Sequence, residues 1–259
     1  MKIYFDGCSW TYGSELSDPE KTRWTKIVSD HYDAKEYNIS KSGGCNRRIV
    51  RNLLEHNIDD YDVFIIQMSM NLRTEYYNGN EWVGLTPSGY YNSNKWVSLT
   101  SNVPKNKNIE IINYTKNYYT KIYDPEFGNT DDKIYYTLIR KLLKNKKHLL
   151  IGIDRGKSQS KVSLDMDISL MLDDSIKRRE SLKLLGKQPP YPRDPKHYRC
   201  KGMHPNEEGH EIIARYIINA LDSEDYKKNA ISSHDKGWWS TLDHVGDIKR
   251  MITKSLDNT

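Results

Sequence analysis

The segment that most restricts the fold is Val63-Phe64-Ile65-Ile66, an unbroken apolar run between polar flanks. A strand that is apolar on both faces needs cover on both faces, as inside a parallel sheet sandwiched by helices. Two shorter strand signals precede it, Lys2 to Phe5 and Tyr37-Asn38-Ile39. Helical patterns fill the gaps. One over Glu20 to His31 sets Trp24, Ile27 and Val28 on one face; another gathers Ile49, Val50, Leu53 and Leu54. The order β-α-β-α-β predicts a doubly wound α/β domain.

After Asn71 this pattern dissolves. Residues 74–110 are rich in Tyr, Trp, Asn and Gly and are expected as an insertion over the carboxyl ends of the strands. Helical spacing returns at Ile134, Leu138, Ile139, Leu142 and Leu143 and leads into a strand, Leu149 to Ile153. Residues 155–197 form a second insertion, with Pro189-Pro190-Tyr191-Pro192 as a stiff exit. A last core helix starts near Asn206, with Ile212, Ile213, Tyr216 and Ile217 inward. Residues 1–221 are thus expected as one domain, and residues 222–259 as a helical C-terminal extension.

Charge narrows the partners. The 40 Lys and Arg are interleaved with 35 Asp and Glu, leaving a net +5. The densest basic run, Lys141 to Lys147, ends a helix, where cations suit the macrodipole. No nucleic-acid partner is expected. No run approaches the roughly 18 apolar residues of a membrane span, and the N-terminus lacks a secretory pattern. A soluble chain is expected, in the cytoplasm or in a virus particle; its oligomeric state is not legible. Cys8, Cys45 and Cys200 are odd in number and show no CxxC spacing, which speaks against a disulfide framework.

Four short blocks carry the chemistry. Asp6-Gly7-Cys8-Ser9-Trp10-Thr11-Tyr12-Gly13 leads a strand into a glycine-flanked turn, lifting Ser9 to the sheet edge where open α/β folds bind ligands. Taken alone, Ser9 reads equally well as a helix cap. A serine nucleophile needs a base, and His204-Pro205-Asn206-Glu207-Glu208-Gly209-His210 offers His204 just before the last helix. His210, inside that helix, reads as structural. Ser42-Gly43-Gly44-Cys45-Asn46 and Gln67-Met68-Ser69-Met70-Asn71 follow the second and third strands. They offer backbone N–H groups and an Asn amide as oxyanion donors.

In this order, at these strand ends, the four blocks resemble the SGNH (GDSL-like) hydrolases. The resemblance covers residues 1–73 and 198–221. It implies a three-layer α/β/α fold with a parallel, flavodoxin-like sheet, and serine esterase chemistry through an acyl-Ser9 intermediate. It maps the base to His204 and the oxyanion donors to Ser9 N–H, a glycine of the Gly43-Gly44 pair and the Asn71 side chain. No metal and no organic cofactor is required. The substrate class is a small acyl ester, or an O-acetylated carbohydrate if the aromatic insertion stacks sugar rings rather than packing its own core.

Three departures stand out. Cys8 takes a position where the family often has Asp, and Ser69 and Leu72 replace the outer residues of Gly-x-Asn-Asp. Lys201 stands three residues before His204, where the family has its acid. A backbone carbonyl, or a carboxylate such as Asp194 or Glu208, is then needed to orient His204. Otherwise the site is impaired and the chain is an SGNH-like binding or structural module, as in a virus particle. The cysteines raise one more alternative: each adjoins a block, so three thiolates and His204 make a tetrahedral zinc set, against three small buried residues.

Overall fold

The computed structural model describes residues 1–86, 89–92, 95–98, 109–153, 165–167, 200 and 204–223. Its centre is a five-stranded sheet of β1 (Lys2–Asp6), β2 (Lys35–Asn38), β3 (Val63–Met68), β8 (Lys147–Gly152) and β9 (Met166–Asp167), in the order β2-β1-β3-β8-β9. Every pairing within it is parallel. The chain enters at β1, steps to one side for β2, then crosses over to β3. With β4 to β7 set aside as an insertion, this is the flavodoxin-like order 2-1-3-4-5, whose switch point lies between β1 and β3.

Alternation along the strands fills two layers. Tyr4, Phe64, Ile66 and Leu150 meet Ile49, Val50 and Leu53 of α4 (Asn46–Glu55) and Ile139 of α6 (Pro125–Leu142). On the other side, Phe5 packs edge-on against Trp24 of α3 (Trp24–His31), ring centroids 5.5 Å apart. The last helix, α7 (Glu207–Asp222), ties to α3 through the Trp24 N–H, which donates to His210 Nδ1 at 3.1 Å. All four apolar residues expected to face inward on α7 are buried. The architecture is three-layered α/β/α.

Some expectations change. The single helix over residues 20–31 is two: α2 (Pro19–Thr22) and α3, separated by Arg23 in an extended conformation. The break sets the Arg23 guanidinium between the carboxylates of Glu20 and Glu36. Leu54, grouped with the core face of α4, is exposed, as are Ile134 and Leu138 on α6. The aromatic insertion is not irregular. It forms an antiparallel sheet of β4 (Thr74–Tyr77), β5 (Trp82–Thr86), β6 (Gly89–Asn92) and β7 (Lys95–Ser98), in sequence order. It is followed by α5 (Ile109–Asn117) and a π-helical turn, Tyr118–Ile122. Val83, Leu85, Ile111 and Ile112, with Tyr76 and Tyr119 against them, give the insertion a core of its own. Most of the second insertion and the extension from residue 224 onward lie outside the described residues. Among the described residues, no helix is long and apolar enough to cross a membrane.

His210 supports its structural reading. Burial, with His204 and Arg23 nearby, pushes its imidazole down to about 3. Its Nδ1 accepts from Trp24, so the neutral ring carries its proton on Nε2, which is buried and has no partner among the described residues. The unfolded chain binds a proton near pH 6.5 that the folded chain refuses until about pH 3. Stability from this site is therefore complete above pH 6.5 and falls as the pH drops below it. Urea unfolding of wild type and His210→Gln at pH 7.5 and 4.5 should show the wild type losing about 2–3 kcal/mol relative to the variant. A pH-independent difference would disprove the assignment.

Candidate active site

The site is built from the bends after β1, β2 and β3. At the first, Gly7 has no room for a side chain: a Cβ would lie 2.5 Å from Thr11 Oγ1 and 2.8 Å from Gln67 Cβ. The buried Gln67 carboxamide accepts from Thr11 Oγ1 at 2.6 Å and from the Cys8 N–H at 3.3 Å, fastening the turn to β3. Ser9 opens α1 (Ser9–Tyr12), so its N–H lies in the first turn, where intrahelical acceptors are lacking. The Ser9 side chain is buried, and its hydroxyl donates to Cys8 Sγ at 3.8 Å.

The second bend holds the glycine pair. Gly43 adopts φ 74°, a conformation that favours glycine. A Cβ on Gly44 would lie 2.5 Å from the Gly7 carbonyl oxygen, so this turn is pressed directly against the first. The Gly44 N–H is committed to the Lys41 carbonyl at 2.8 Å. Of the pair, Gly43 therefore has the N–H left for a ligand. A hydrogen bond between Ser14 Oγ and Ser42 Oγ, 3.1 Å apart, ties the two bends together.

After β3, Asn46 holds the exit strand. Its amide donates to the Ser69 carbonyl at 3.0 Å and to Asp132 Oδ1 at 2.6 Å, while its Oδ1 accepts the Ser69 N–H at 2.6 Å. Burial pushes the Asp132 carboxyl up to about 7. Asn71 follows, and its Nδ2 donates to Asn129 Oδ1 of α6 at 2.7 Å. One of its two N–H groups is thus engaged by α6, a contact its sequence position did not announce.

The His204 loop returns to the same edge of the sheet. His204 Nδ1 lies 2.6 Å from Glu15 Oε2, and both side chains are partly shielded from solvent. Glu15 sits two residues beyond Gly13, the C-cap of α1, in a left-handed conformation with φ 71°. That backbone is rare for a residue with a side chain, and such outliers cluster at functional sites. The loop is further anchored by Cys200 Sγ, which donates to the Glu15 carbonyl at 3.7 Å, by Cys200 N–H on the His204 carbonyl at 2.8 Å, and by Ser17 Oγ on Glu207 Oε1 at 3.0 Å.

The carboxylate at His204 is therefore Glu15. Glu208 is exposed on the first turn of α7, and Asp194 and Lys201 lie outside the described residues. Glu15 and His204 are brought together, with Glu15 one short loop beyond α1, whose four residues begin at Ser9 and advance only about 6 Å. Ser9 and His204 are not themselves hydrogen-bonded, since the Ser9 hydroxyl turns to Cys8. The cysteines do not converge. Cys8 and Cys45 are buried, and burial holds the Cys45 thiol protonated by pushing it up to about 12. Among the described residues no group of three His, Cys, Asp or Glu is placed to hold a metal, which removes the zinc set of Cys8, Cys45, Cys200 and His204.

The sheet order is flavodoxin-like, Ser9 follows β1, and His204, just before the last helix, meets Glu15 of the loop after α1. The chain resembles the SGNH hydrolases. Its sequence matches no family model and no curated protein. Similar solved structures include a psychrotrophic esterase from Pseudoalteromonas sp., 12% identical with a TM-score of 0.42, over 85% of this chain and 96% of that one. A lipolytic protein of the G-D-S-L family from Veillonella parvula is 12% identical with a TM-score of 0.42, over 87% and 98%. A family two carbohydrate esterase from Clostridium thermocellum is 14% identical with a TM-score of 0.40, over 85% and 63%.

Proposed function

We propose that the protein is a serine ester hydrolase in which Ser9 is the nucleophile, His204 the base and Glu15 the group that orients it. The observation that carries this reading is the 2.6 Å contact of Glu15 Oε2 with His204 Nδ1 at the carboxyl end of β1. A carboxylate at Nδ1 keeps the neutral ring's proton there and leaves Nε2 as the basic atom. It also stabilises the imidazolium that forms when the base takes a proton. The family's acid, missing at Lys201, is thus supplied from the other end of the chain.

In the reaction, the Ser9 hydroxyl leaves Cys8 by a rotation about χ1 and gives its proton to His204 Nε2 as its oxygen bonds the ester carbonyl carbon. The carbonyl oxygen becomes an oxyanion, held by the N–H groups of Ser9 and Gly43 and by the free N–H of Asn71. Collapse expels the alcohol, which takes the proton from His204. Water then repeats the sequence on acyl-Ser9, releasing the carboxylic acid and restoring the hydroxyl.

Fluorophosphonate labelling tests the reading. Wild type should be labelled at Ser9 and Ser9→Ala not at all, with both folded by circular dichroism. His204→Ala should slow labelling by at least a thousandfold, consistent with the loss expected on removing a triad member. A folded wild type that resists labelling would leave the scaffold as a binding module and end the esterase proposal.

A further inference from the structure

Beside the glycine turn is a cleft of which the reaction above uses only the Gly43 N–H. The turn forms one wall with Lys41, Gly43 and Gly44, while Arg51 of α4 and Trp82 of the inserted sheet form the other. Its room, about 50 Å³, holds roughly three or four water-sized groups, the size of a carboxylate with its neighbouring carbon.

The charges in this cleft are unequally committed. Arg51 is held in a two-pronged pair with Glu75, Nε to Oε1 at 3.0 Å and Nη2 to Oε2 at 3.1 Å, and its guanidinium carbon lies 4.8 Å from the centre of the Trp82 ring. Arg48, which also lines the cleft, is paired with Asp6 at 2.7 Å. Glu75 is the cleft's one carboxylate, and Arg51 uses both of its oxygens. Lys41 differs: among the described residues its ammonium has no carboxylate within salt-bridge distance. Lys41 is a half-buried residue of the cleft wall without an ion pair among the described residues, while both arginines of the wall are paired, so the cleft carries an uncompensated positive charge. A carboxylate suits that positive charge and fits that room.

We propose that this cleft binds a carboxylate on the substrate, paired with Lys41, so that the preferred ester carries a carboxylate a few bonds from the reacting carbonyl. The inference rests on the esterase reading for its link to turnover, but not for binding itself. The inserted sheet then has a role: through Arg51–Glu75 and Trp82 it closes the far wall, making it a determinant of specificity that the parallel sheet alone lacks. The carboxylate can stand on the acyl side, as in a hemisuccinate ester, or on the alcohol side, as in an O-acetylated uronic acid.

Two measurements separate this inference from the esterase reading. In the first, kcat/KM is compared at low salt for 4-nitrophenyl hemisuccinate against 4-nitrophenyl acetate, and for acetylated galacturonate against acetylated galactose. Whichever pair reports the source should favour the charged member at least tenfold. That ratio should drop about tenfold in Lys41→Ala and partly return in Lys41→Arg. A ratio that Lys41→Ala leaves unchanged overturns the inference even if the enzyme is active. In the second, succinate and galacturonate are titrated calorimetrically into the Ser9→Ala protein, with and without Lys41→Ala. Binding weakened about tenfold by Lys41→Ala supports the cleft even if no ester is hydrolysed, and absence of binding for both ligands overturns it.

Discussion

Glu15→Gln is expected to lower kcat by about three to four orders of magnitude while leaving KM and the melting temperature nearly unchanged. The carboxylate accepts the Nδ1 proton of His204 at 2.6 Å. A glutamine of the same shape can instead turn its NH₂ toward Nδ1, which moves the ring proton to Nε2 and removes the basic nitrogen that the proposed mechanism requires. In a serine protease the corresponding change of acid to amide costs about 10⁴ in kcat. A loss confined to kcat distinguishes an orienting group from a substrate contact, which would raise KM. Glu15→Asp should recover part of the rate, because the charge is kept and only the reach is shortened. A loss below about tenfold in Glu15→Gln would mean that His204 is oriented by something else.

That residue was not legible in the sequence, for a physical reason. Strands and core helices announce themselves through local periodicity, so Val63 to Ile66 and the inward face of α7 were readable from apolar spacing alone. Ser9 and His204 stand out as candidates because each sits at the boundary of such an element. Glu15 sits in a loop, and its partner is 189 residues away. Nothing in Gly13-Ser14-Glu15 reveals that the backbone enters the left-handed region there. The inserted sheet is a different kind of miss. Val83 and Leu85 alternate with Gly84 and Thr86, and Asn78-Gly79 stands between Tyr77 and Trp82, with Gly79 at φ 95°. Alternation after an Asn-Gly turn is a hairpin signal. The density of aromatic and polar residues around it masks that alternation. Likewise the commitment of the Gly44 N–H to Lys41 depends on turn geometry, so composition alone left both glycines open.

The largest effect on stability should come from Asp6, at the end of the strand that delivers Ser9. Its carboxylate has no exposure to solvent and is fully occupied: Oδ1 accepts from the Gly7 N–H and Arg48 Nη1, both at 2.7 Å, and Oδ2 from Asn52 Nδ2 at 2.8 Å. Arg48 also donates to the carbonyl of Ile39, so the pair joins the exits of β1 and β2 to α4. Asp6→Ala strands a largely buried guanidinium without its counter-charge, which costs about 3–5 kcal/mol. Asp6→Asn should cost less, because an amide oxygen in the Oδ1 position still accepts two of the three bonds. Removing both charges in Asp6→Ala with Arg48→Met should be milder than the sum of the single changes, since no unpaired ion is then left inside. Urea unfolding of the wild type, Asp6→Ala, Asp6→Asn, Arg48→Met and the double variant measures this directly. Additive losses, or a loss below about 1 kcal/mol for Asp6→Ala, would show that the pair does not hold the serine turn in place. The same variants bear on the chemistry: Gly7, whose N–H the carboxylate holds, lies two residues before Ser9. Fluorophosphonate labelling of Asp6→Ala under conditions where it remains folded should therefore be slowed as well, while a surface pair such as Lys21–Asp18 can be removed without effect on labelling.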